Sequence, residues 1–266
     1  MAKREASEKN VIAEYLQLIV SVVIIVVVVR SFIFEPFRIP SPSMDPTLKT
    51  GDYVIVTKFS YGFGRQSIFD IPLISDRIFW REPKRGNVVV FADPDSPRQK
   101  KLVKRVVGVP GDEIVVRNSL LYINGVAADR VLIGPGSSNA DRFDQRGQAI
   151  DSLGDFFTET FESQNGKPHE HVIWDKYYGD QLVGPDMFGP YIVPEDHLFF
   201  MGDNRDNSSD SRARSLGAVH RKYVMGRAQF VLFSLNIRQI KDGFRIKNSW
   251  TLNNPFRWGR FFKGIR

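Results

Sequence analysis

The strongest hydrophobic pattern in the chain is an apolar run near its start. Residues 16–29 read LQLIVSVVIIVVVV, and Tyr15 before them and SFIF after Arg30 extend the segment to residues 15–34. About 20 apolar residues are the length that a helix needs to cross a bilayer. Valine runs also favour strands, so a helix or strand pair buried in a soluble core is the alternative. No turn residue breaks the run and polar residues do not alternate along it, so we predict a transmembrane anchor.

The residues around the anchor indicate how it is used. Arg30 lies near the predicted helix end, where its head group can snorkel to the interface. The following FIFEPF offers no small-x-small cleavage site, so we predict an uncleaved anchor rather than a secretory signal. Lys3, Arg4 and Lys9 precede the span. This small excess of positive charge before the span predicts that residues 1–14 are cytoplasmic and that the rest of the chain lies on the outer face.

Beyond the anchor, hydrophobic residues come in short β-branched runs bounded by turn formers. The runs are DYVIVTKF, GNVVVFADP, KLVKRVVGVPGDEIVV, LLYINGV, HLFFMGDN and GRAQFVLFSLN. Such runs between Gly, Pro, Asn and Asp predict strands, and Asn124-Gly125 predicts a hairpin turn. Residues 148–162 are the one later stretch with a helical apolar period. We therefore predict a mainly β fold with an antiparallel β-sheet core, preceded by one N-terminal transmembrane helix.

Composition divides the β region into a core, an insertion and a tail. Gly, Pro, Asp and Ser are dense in residues 127–193, where apolar runs are brief. We predict a loop-rich inserted subdomain there, which interrupts a β core formed by residues 35–126 and 194–250. The tail, residues 251–266, interleaves aromatic residues with Arg and Lys. That composition suits a lipid interface or, equally, a frayed basic end.

Charge and cysteine content narrow the partners and the chemistry. The 266 residues carry a net charge of +7, which allows anionic lipid or nucleic acid as a partner. The densest basic patches, REPKRG and RQKKLVKR, lack interleaved stacking aromatics, so we predict contact with membrane lipid and no nucleic acid. Cysteine is absent, which excludes disulfides, a thiol nucleophile and cysteine-ligated zinc.

Two serines lie on a proline-stiffened loop just after the anchor. The stretch FRIPSPSMDPTL places Ser41 and Ser43 beside Pro40 and Pro42. Each proline restricts its own φ and the backbone of the residue before it. A stiff backbone presents a nucleophile in one pose, although these twelve residues on their own favour a plain linker.

A serine nucleophile needs a base, and histidine is the first candidate. The four histidines are His169, His171, His197 and His220. No G-x-S-x-G elbow surrounds either serine, so a histidine triad has no support. The HEH stretch lacks the helical spacing of H-E-x-x-H. We interpret His169 and His171 as surface residues and predict no metal.

Lysine is the second candidate base. Lys104 lies in KLVKRVVGVPGD, where strand alternation puts it on one face with Leu102 and Val106. Arg105 points the other way with Val103. A lysine on an apolar face is paired, snorkelling or neutral, and only a neutral amine accepts a proton. Burial can lower a lysine pKa from its usual value of about 10.4, so Lys104 is a candidate base, with a snorkelling surface lysine as the alternative.

The stretch MGDNRDNSSDSR, residues 201–212, packs donors and acceptors into one loop. Its spacing differs from the D-x-[DN]-x-[DN]-G of a calcium-binding EF-hand. We interpret it as a hydrogen-bonded turn that braces the strands and supports a nearby catalytic group. We predict no cofactor.

Five stretches in order resemble the bacterial type I signal peptidases. They are IPSPSMDPTL, GDYVIVTKF, PKRGNVVVF, VKRVVGVPGD and MGDNRDNSSDSR, and the resemblance covers roughly residues 34–233 apart from the insertion. It implies a Ser/Lys-dyad serine endopeptidase that removes signal peptides from exported preproteins at small-x-small sites. It also implies a single-pass protein of the bacterial inner membrane with its catalytic domain on the periplasmic face.

The resemblance implies a role for each matching residue of the Ser-Pro loop and of the lysine strand. Ser43 matches the nucleophile and Lys104 matches the general base. The Ser41 hydroxyl and the Ser43 amide match the oxyanion hole. Pro42 departs from the family pattern, where glycine is common, and we expect it to stiffen the loop without abolishing activity.

Supporting and substrate-binding positions follow from the same resemblance. Ser208 matches a serine that orients the lysine, and Asp210 and Arg212 match a supporting salt bridge. The positions that match the substrate pockets for small side chains are Phe37, Ile39, Met44, Leu48, Val54, Leu102 and Val103.

Two other functional classes compete with this prediction. A LexA-like self-cleaving regulator uses a similar serine and lysine, but it needs a DNA-binding domain, and fourteen residues precede the apolar run. A membrane-anchored binding protein could keep the fold without catalysis. Intact Ser43 and Lys104 favour the enzyme.

Overall fold

The computed structural model describes residues 2–65, 77–96, 100–138, 152–175, 177–178, 181–182, 187–236 and 256–265. A long helix, α1, covers Ala2–Val28 and continues as a π-helical turn at Val29–Ile33. The strands that follow, in chain order, are β1 (Phe34–Arg38), β2 (Asp52–Thr57), β3 (Val88–Ala92), β4 (Lys101–Gly108), β5 (Glu113–Arg117), β6 (Leu120–Ile123), β7 (Val126–Ala127), β8 (Asp129–Ser138), β9 (Ser152–Glu162), β10 (Pro168–Asp175), β11 (Tyr177–Tyr178), β12 (Gln181–Leu182), β13 (Met187–Ile192), β14 (His197–Met201), β15 (Val219–His220), β16 (Val224–Ser234) and β17 (Lys263–Gly264).

The apolar N-terminal run is helical and exposed. The segment Ala13–Ile33 has 21 residues with a mean hydropathy of 2.7, and 6% of its most apolar window is buried. At about 1.5 Å per residue this helix is about 31 Å long, which matches the hydrocarbon core of a bilayer. Its apolar side chains point outward, so the alternative of a buried core helix is wrong.

The helix passes into the first strand without a linker. Ile33 ends the helical turn and Phe34 begins β1. The Lys58 amide donates to the Ile33 carbonyl at 3.1 Å. Glu35 binds Lys58 Nζ at 3.0 Å and lies 3.6 Å from the Arg30 guanidinium. The end of the helix is therefore held against the sheet by hydrogen bonding and by charge.

The main sheet is antiparallel and is built from both ends of the chain. Its order is β1-β2-β16-β3-β4-β14-β15, with β17 added to β16, and a second sheet has the order β13-β5-β6-β7. Each β-branched run named above forms a strand, and Asn124 and Gly125 form a turn with φ of 53° and 79°. This arrangement confirms the predicted antiparallel, mainly β fold behind an N-terminal apolar helix.

The segment predicted as an insertion contains more strand than its composition indicates. Strands β8, β9 and β10 form a separate sheet in the order β10-β9-β8, hereafter the inserted sheet, and β13 returns to pair with β5. The helical period expected over residues 148–162 is wrong for residues 152–162, which form β9, and the rest of that stretch lies outside the described residues. Pairing on both edges of β9 decides its structure where the local period is ambiguous.

The described part of the C-terminal tail, residues 256–265, packs on the main sheet. Strand β17 pairs with β16, and Arg260 forms an ion pair with the fully buried carboxylate of Asp52. Asp52 also accepts a hydrogen bond from Ser234 Oγ at 2.6 Å. The rings of Trp258 and Phe262 remain exposed. These residues are therefore docked rather than frayed, and they present aromatic side chains outward.

Replacing Arg260 with Met should lower the free energy of unfolding by about 3 kcal/mol, because it leaves the buried Asp52 carboxylate without its main counterion. Urea unfolding of the detergent-solubilised chain measures the change. Lys263→Met, at an exposed side chain of the same tail, is the control and should change stability by less than about 0.5 kcal/mol. Equal stability of the two variants would show that the ion pair does not hold the tail.

Candidate active site

The Ser-Pro loop lies between β1 and β2 and is closed at its base by backbone hydrogen bonds. The Ile39 amide donates to the Asp52 carbonyl at 2.8 Å, and the Gly51 amide donates to the Ile39 carbonyl at 3.0 Å. Met44 and Leu48 are buried side chains that anchor the loop from below. The prolines and these anchors together fix the direction in which the two serines project.

The structure brings Ser41, Ser43 and Lys104 together. Lys104 lies on β4, between β3 and β14 in the sheet, and only 3% of its surface is exposed. Lys104 Nζ lies 2.5 Å from Ser43 Oγ, and Ser41 Oγ lies 3.4 Å from Ser43 Oγ. A hydroxyl and an amine at this separation can exchange a proton directly.

Burial changes the protonation of the lysine. Desolvation lowers the pKa of Lys104 from 10.5 to about 8, and the positive charges of Arg212 and Lys100 act in the same direction. Asp210 and Asp203 act in the opposite direction and offset the shift in part. A large fraction of the amine is therefore neutral in mildly alkaline solution, as a general base requires.

Asp210 and Arg212 form a bidentate ion pair beside the lysine. Arg212 Nε donates to Asp210 Oδ1 and Arg212 Nη2 donates to Asp210 Oδ2, both at 2.9 Å. The Gly202 amide donates to the same carboxylate at 2.9 Å. Burial alone would raise the pKa of Asp210, but Arg212, the Gly202 amide and Lys104 together outweigh it, so the pKa lies below its usual range. The pair fixes the loop that follows β14.

Gly202 packs directly against the Ser-Pro loop. A methyl group at this position would overlap both Ser208 Oγ and the Ser43 carbonyl oxygen. Ser208 Oγ is buried and makes no hydrogen bond to any residue that the structure describes. Its hydroxyl therefore lies next to the site with free hydrogen-bonding capacity, and its expected contact with Lys104 is not formed.

Asn204 holds the Ser-Pro loop, a contact that the sequence did not single out. The backbone amide of Asn204 donates to the Ser43 carbonyl at 3.2 Å, and its side-chain Nδ2 donates to the Pro42 carbonyl at 3.1 Å. Two consecutive carbonyls of the Ser-Pro loop thus accept hydrogen bonds from Asn204. The partners are about 160 positions apart in the chain, so no local pattern could reveal the contact.

His169 and His171 are not surface residues, and that interpretation is wrong. His171 is buried and His169 is half-buried, because the inserted sheet packs on the core next to Arg105. Arg105 forms a buried bidentate pair with Asp203, with donor–acceptor distances of 2.8 and 2.6 Å. Burial and the Arg105 charge lower the pKa of His169 to about 4. Both histidines, with Thr47, line a cavity of about 850 Å³ whose walls do not include Ser43 or Lys104.

Most of the expected substrate-binding positions fall in one apolar cluster. Phe37 packs against it, whereas Leu102 belongs to the neighbouring cluster around Phe91 and Phe200. Adjacent residues of a strand point to opposite faces, which separates Leu102 from its neighbour. The expected positions inside the first cluster are Ile39, Met44, Leu48, Val54 and Val103. Within the described ranges, no group of His, Asp and Glu side chains has the arrangement of a metal site.

The chain is similar to one family model, to named relatives and to a solved structure. The family model described as "Signal peptidase, peptidase S26" matches residues 12–233. A protein named Signal peptidase I from Rickettsia akari (strain Hartford) is 36% identical over 255 residues, which cover 92% of this chain and 90% of that protein. Its namesake from Rickettsia conorii (strain ATCC VR-613 / Malish 7) is 38% identical, over 81% of this chain and 77% of the other. A solved signal peptidase I from Enterococcus faecalis V583 is 23% identical with a TM-score of 0.30, over 55% of this chain and 97% of that chain.

Replacing Gly202 with Ala should lower kcat by about 100-fold, because the added methyl group displaces the Ser43 carbonyl and misplaces the nucleophile. Steady-state cleavage of a synthetic preprotein measures the effect. Gly264→Ala is the matched control, since a methyl group there meets nothing within 4 Å, and its kcat should equal that of the wild type. A Gly202→Ala enzyme with unchanged kcat would mean that the close approach has no bearing on catalysis.

Proposed function

The chain belongs to the signal peptidase family, peptidase S26, and on this premise we propose that it is a membrane-anchored serine endopeptidase that removes N-terminal signal peptides from exported preproteins. Family membership supports the peptidase activity. One observation supports the dyad mechanism above all others, which is the 2.5 Å separation of Lys104 Nζ and Ser43 Oγ. No metal or cofactor takes part in the proposed reaction.

The first step is attack by Ser43 on the carbonyl carbon that precedes the scissile bond. Ser43 Oγ forms a bond to this carbon while its proton moves to neutral Lys104 Nζ. The protonated lysine then returns the proton to the leaving amine as the C–N bond breaks. Water then attacks the acyl carbon while its proton moves to the same amine. The bond between this carbon and Ser43 Oγ breaks, the protonated lysine returns the proton to Ser43 Oγ, and the signal peptide leaves as a free carboxylate.

Two donors at the loop stabilise the negative oxygen of the tetrahedral intermediate. These are the Ser43 amide and the Ser41 hydroxyl, which lies 3.4 Å from the attacking oxygen. Each such hydrogen bond contributes about 3 kcal/mol to transition-state stabilisation. Proline on each side of Ser41 limits the backbone motion that would misalign the donor.

Keeping the lysine neutral has an energetic cost that the apolar surroundings impose. A shift of the Lys104 pKa from 10.5 to about 8 corresponds to about 3 kcal/mol at 1.36 kcal/mol per unit. The Asp210–Arg212 pair holds the adjacent loop, and we assign it a supporting role. We assign Ser208, whose hydroxyl has free hydrogen-bonding capacity, the role of orienting Lys104 once substrate closes the site.

Apolar positions beside the loop select the substrate. The side chains of Ile39, Met44 and Val103 are buried in one apolar cluster, and we assign this cluster to the walls of the substrate pockets. The proposed lining set from this cluster is Phe37, Ile39, Met44, Leu48, Val54 and Val103, and Leu102 is proposed to contribute from the neighbouring cluster. Small side chains one and three residues before the cut fit such walls, so the proposed cleavage follows a small-x-small site.

The N-terminal helix supports a site held near a membrane surface. The exposed apolar helix Ala13–Ile33 supports a single span. The basic residues that precede it favour an inside N-terminus, so we propose that the catalytic body faces the periplasm from the inner membrane. Exposed Trp258 and Phe262 of the tail are suited to contact with lipid. Enzyme and signal peptide then share one bilayer, which raises their effective concentration.

Ser43→Ala and Lys104→Arg should each abolish cleavage of a preprotein, whereas the wild type should release the mature chain. Arginine keeps the positive charge, but guanidinium does not deprotonate in this pH range, so it cannot act as a base. Mass analysis of the new N-terminus locates the cut. Cleavage that survives Lys104→Arg would exclude Lys104 as the base, and an uncut preprotein with the wild type would favour a binding protein.

The pH dependence should report the lysine. Because the neutral amine is the base, kcat/KM should rise with pH and level off above about 8, the pKa of Lys104.

The free energy of unfolding should also depend on the protonation of Lys104. Below pH 8 both folded and unfolded states bind the proton, and the buried charge destabilises the fold. Between about 8 and 10.5 only the unfolded state stays protonated, so stability rises with pH.

Lys104→Met isolates this stability term, because methionine keeps the apolar stem and removes the amine. This variant should be more stable than the wild type at pH 7, by at most about 3 kcal/mol. The difference should shrink as pH rises from about 8 to 10.5. Urea unfolding across this range measures it, and a constant difference would contradict a lysine held neutral by burial.

A further inference from the structure

A buried ion pair links the inserted sheet to the loop that follows β14. Glu159 on β9 is 0% exposed and Arg205 is 3% exposed. Arg205 Nη1 donates to Glu159 Oε2 at 2.8 Å, and Arg205 Nη2 donates to Glu159 Oε1. Arg205 Nε donates to the Gly202 carbonyl at 3.2 Å. The guanidinium therefore connects the carboxylate to the backbone of its own loop.

A second contact from the inserted sheet reaches the same loop. The backbone amide of Trp174, on β10, donates to the Asp203 carbonyl at 2.9 Å. The Trp174 side chain is fully buried. Residues 202–205 are thus held from the inserted sheet by one side chain of β9 and by the backbone of β10. We call these four residues the bracing loop.

The bracing loop holds the nucleophile in turn. As described above, Asn204 binds the carbonyls of Pro42 and Ser43, and Gly202 contacts the Ser43 carbonyl. A continuous series of contacts therefore runs from Glu159 through Arg205 and Asn204 to Ser43. An ion pair joins Glu159 to Arg205, a peptide bond joins Arg205 to Asn204, and hydrogen bonds join Asn204 to the Ser-Pro loop.

We propose that Glu159 is a positioning residue for the peptidase reaction and that the inserted sheet is part of the catalytic apparatus. Through Arg205, Glu159 fixes the bracing loop, and the bracing loop fixes the backbone of Ser43. The inference rests on the proposed function in one respect, which is that Ser43 is the nucleophile.

The charges around Glu159 favour this role over simple filling of the core. Burial alone would raise the pKa of Glu159, but Arg205 and Arg130 outweigh it and hold the pKa below its usual range. The carboxylate is therefore ionised and binds Arg205 in a bidentate geometry, which fixes orientation as well as distance. His171 Nε2 lies 3.6 Å away, but burial keeps the pKa of His171 well below its usual value. A neutral His171 cannot replace Arg205 as the counterion.

The position of the pair predicts which kinetic constant it affects. The expected substrate-binding residues Ile39, Leu48 and Val54 belong to a cluster that contains no residue of the inserted sheet. Loosening the bracing loop should therefore leave substrate binding intact and misplace the attacking hydroxyl. Displacements of this kind lower the chemical step by about 100-fold for a shift of about 1 Å.

The experiment compares three variants of the full chain in detergent. Glu159→Gln keeps the shape of the side chain and removes its charge. The double variant Glu159→Leu/Arg205→Met replaces the pair with apolar groups, a change that often preserves stability. Asp112→Asn is the matched control. Asp112 forms a comparable pair with Arg85, with distances of 2.8 and 2.5 Å.

The control pair also touches the inserted sheet without reaching the bracing loop. Arg85 Nη1 donates to the Glu162 carbonyl at the end of β9 at 3.1 Å. Asp112→Asn should therefore lower stability as Glu159→Gln does and leave kcat unchanged. In the double variant Arg130 keeps its ion pair with Asp175, so the only buried charges removed are those under test.

We expect Glu159→Gln to lower kcat by about 10- to 100-fold with KM changed by less than about twofold. The double variant should regain stability and keep the low kcat. Full recovery of kcat in the double variant would overturn the proposal, since the pair would then serve stability alone. An equal loss of kcat in Asp112→Asn would overturn it as well.

Hydrogen exchange gives a readout that needs no substrate. The Asn204 amide, which donates to the Ser43 carbonyl, should exchange faster in Glu159→Gln and in the double variant. In Asp112→Asn its rate should match that of the wild type. Unchanged exchange in Glu159→Gln would disprove positioning even in an active enzyme. If the wild type fails to cleave preproteins, the proposed function fails, and exchange still decides whether Glu159 holds the loop.

Discussion

The proposed chemistry depends on one contact, between the amine of the buried Lys104 and the hydroxyl of the half-buried Ser43. An amine becomes a base at moderate pH only where water is scarce, and water is scarce here because β4 is covered on both faces. The strands β3 and β14 flank it, and the apolar clusters lie above and below. The sheet must therefore be complete before the chemistry exists. A protein of this design gives up stability at its active site, as is common where function requires an unfavourable environment.

Around the dyad, rigidity comes from buried charges rather than from helices or disulfides. The pairs Arg105–Asp203, Glu159–Arg205 and Arg212–Asp210 all contact the segment that follows β14. Buried pairs add little net stability, because desolvation offsets their attraction. Their geometry, however, is directional, so they can fix a loop whose regular structure is one short 3₁₀ helix at Arg205–Asn207. The large antiparallel sheet supplies the stability that offsets this desolvation, and the pairs hold the proposed nucleophile in one orientation.

Local patterns predicted the parts of the fold whose cause is local. The apolar run predicted the helix, β-branched runs predicted the central strands, and Asn124-Gly125 predicted its turn. Alternation along β4 separated Lys104 from Arg105. The sequence patterns did not predict strands β8 to β10, because the stability of these strands comes from pairing with each other rather than from composition. The burial of His171 and the Glu159–Arg205 pair were not predicted for a similar reason. The two charges are 46 positions apart, and no local pattern in either stretch indicates the other.

The direct passage from α1 into β1 has a mechanical consequence. No linker separates Ile33 from Phe34, so the orientation of the sheet is tied to that of the helix. The five residues of β1 separate the helix end from the Ser-Pro loop by about 17 Å. Where the apolar helix spans a bilayer, such a junction would hold the Ser-Pro loop at a fixed height above the lipid. The enzyme would then recognise a peptide bond by its height above the lipid as much as by the side chains that flank it.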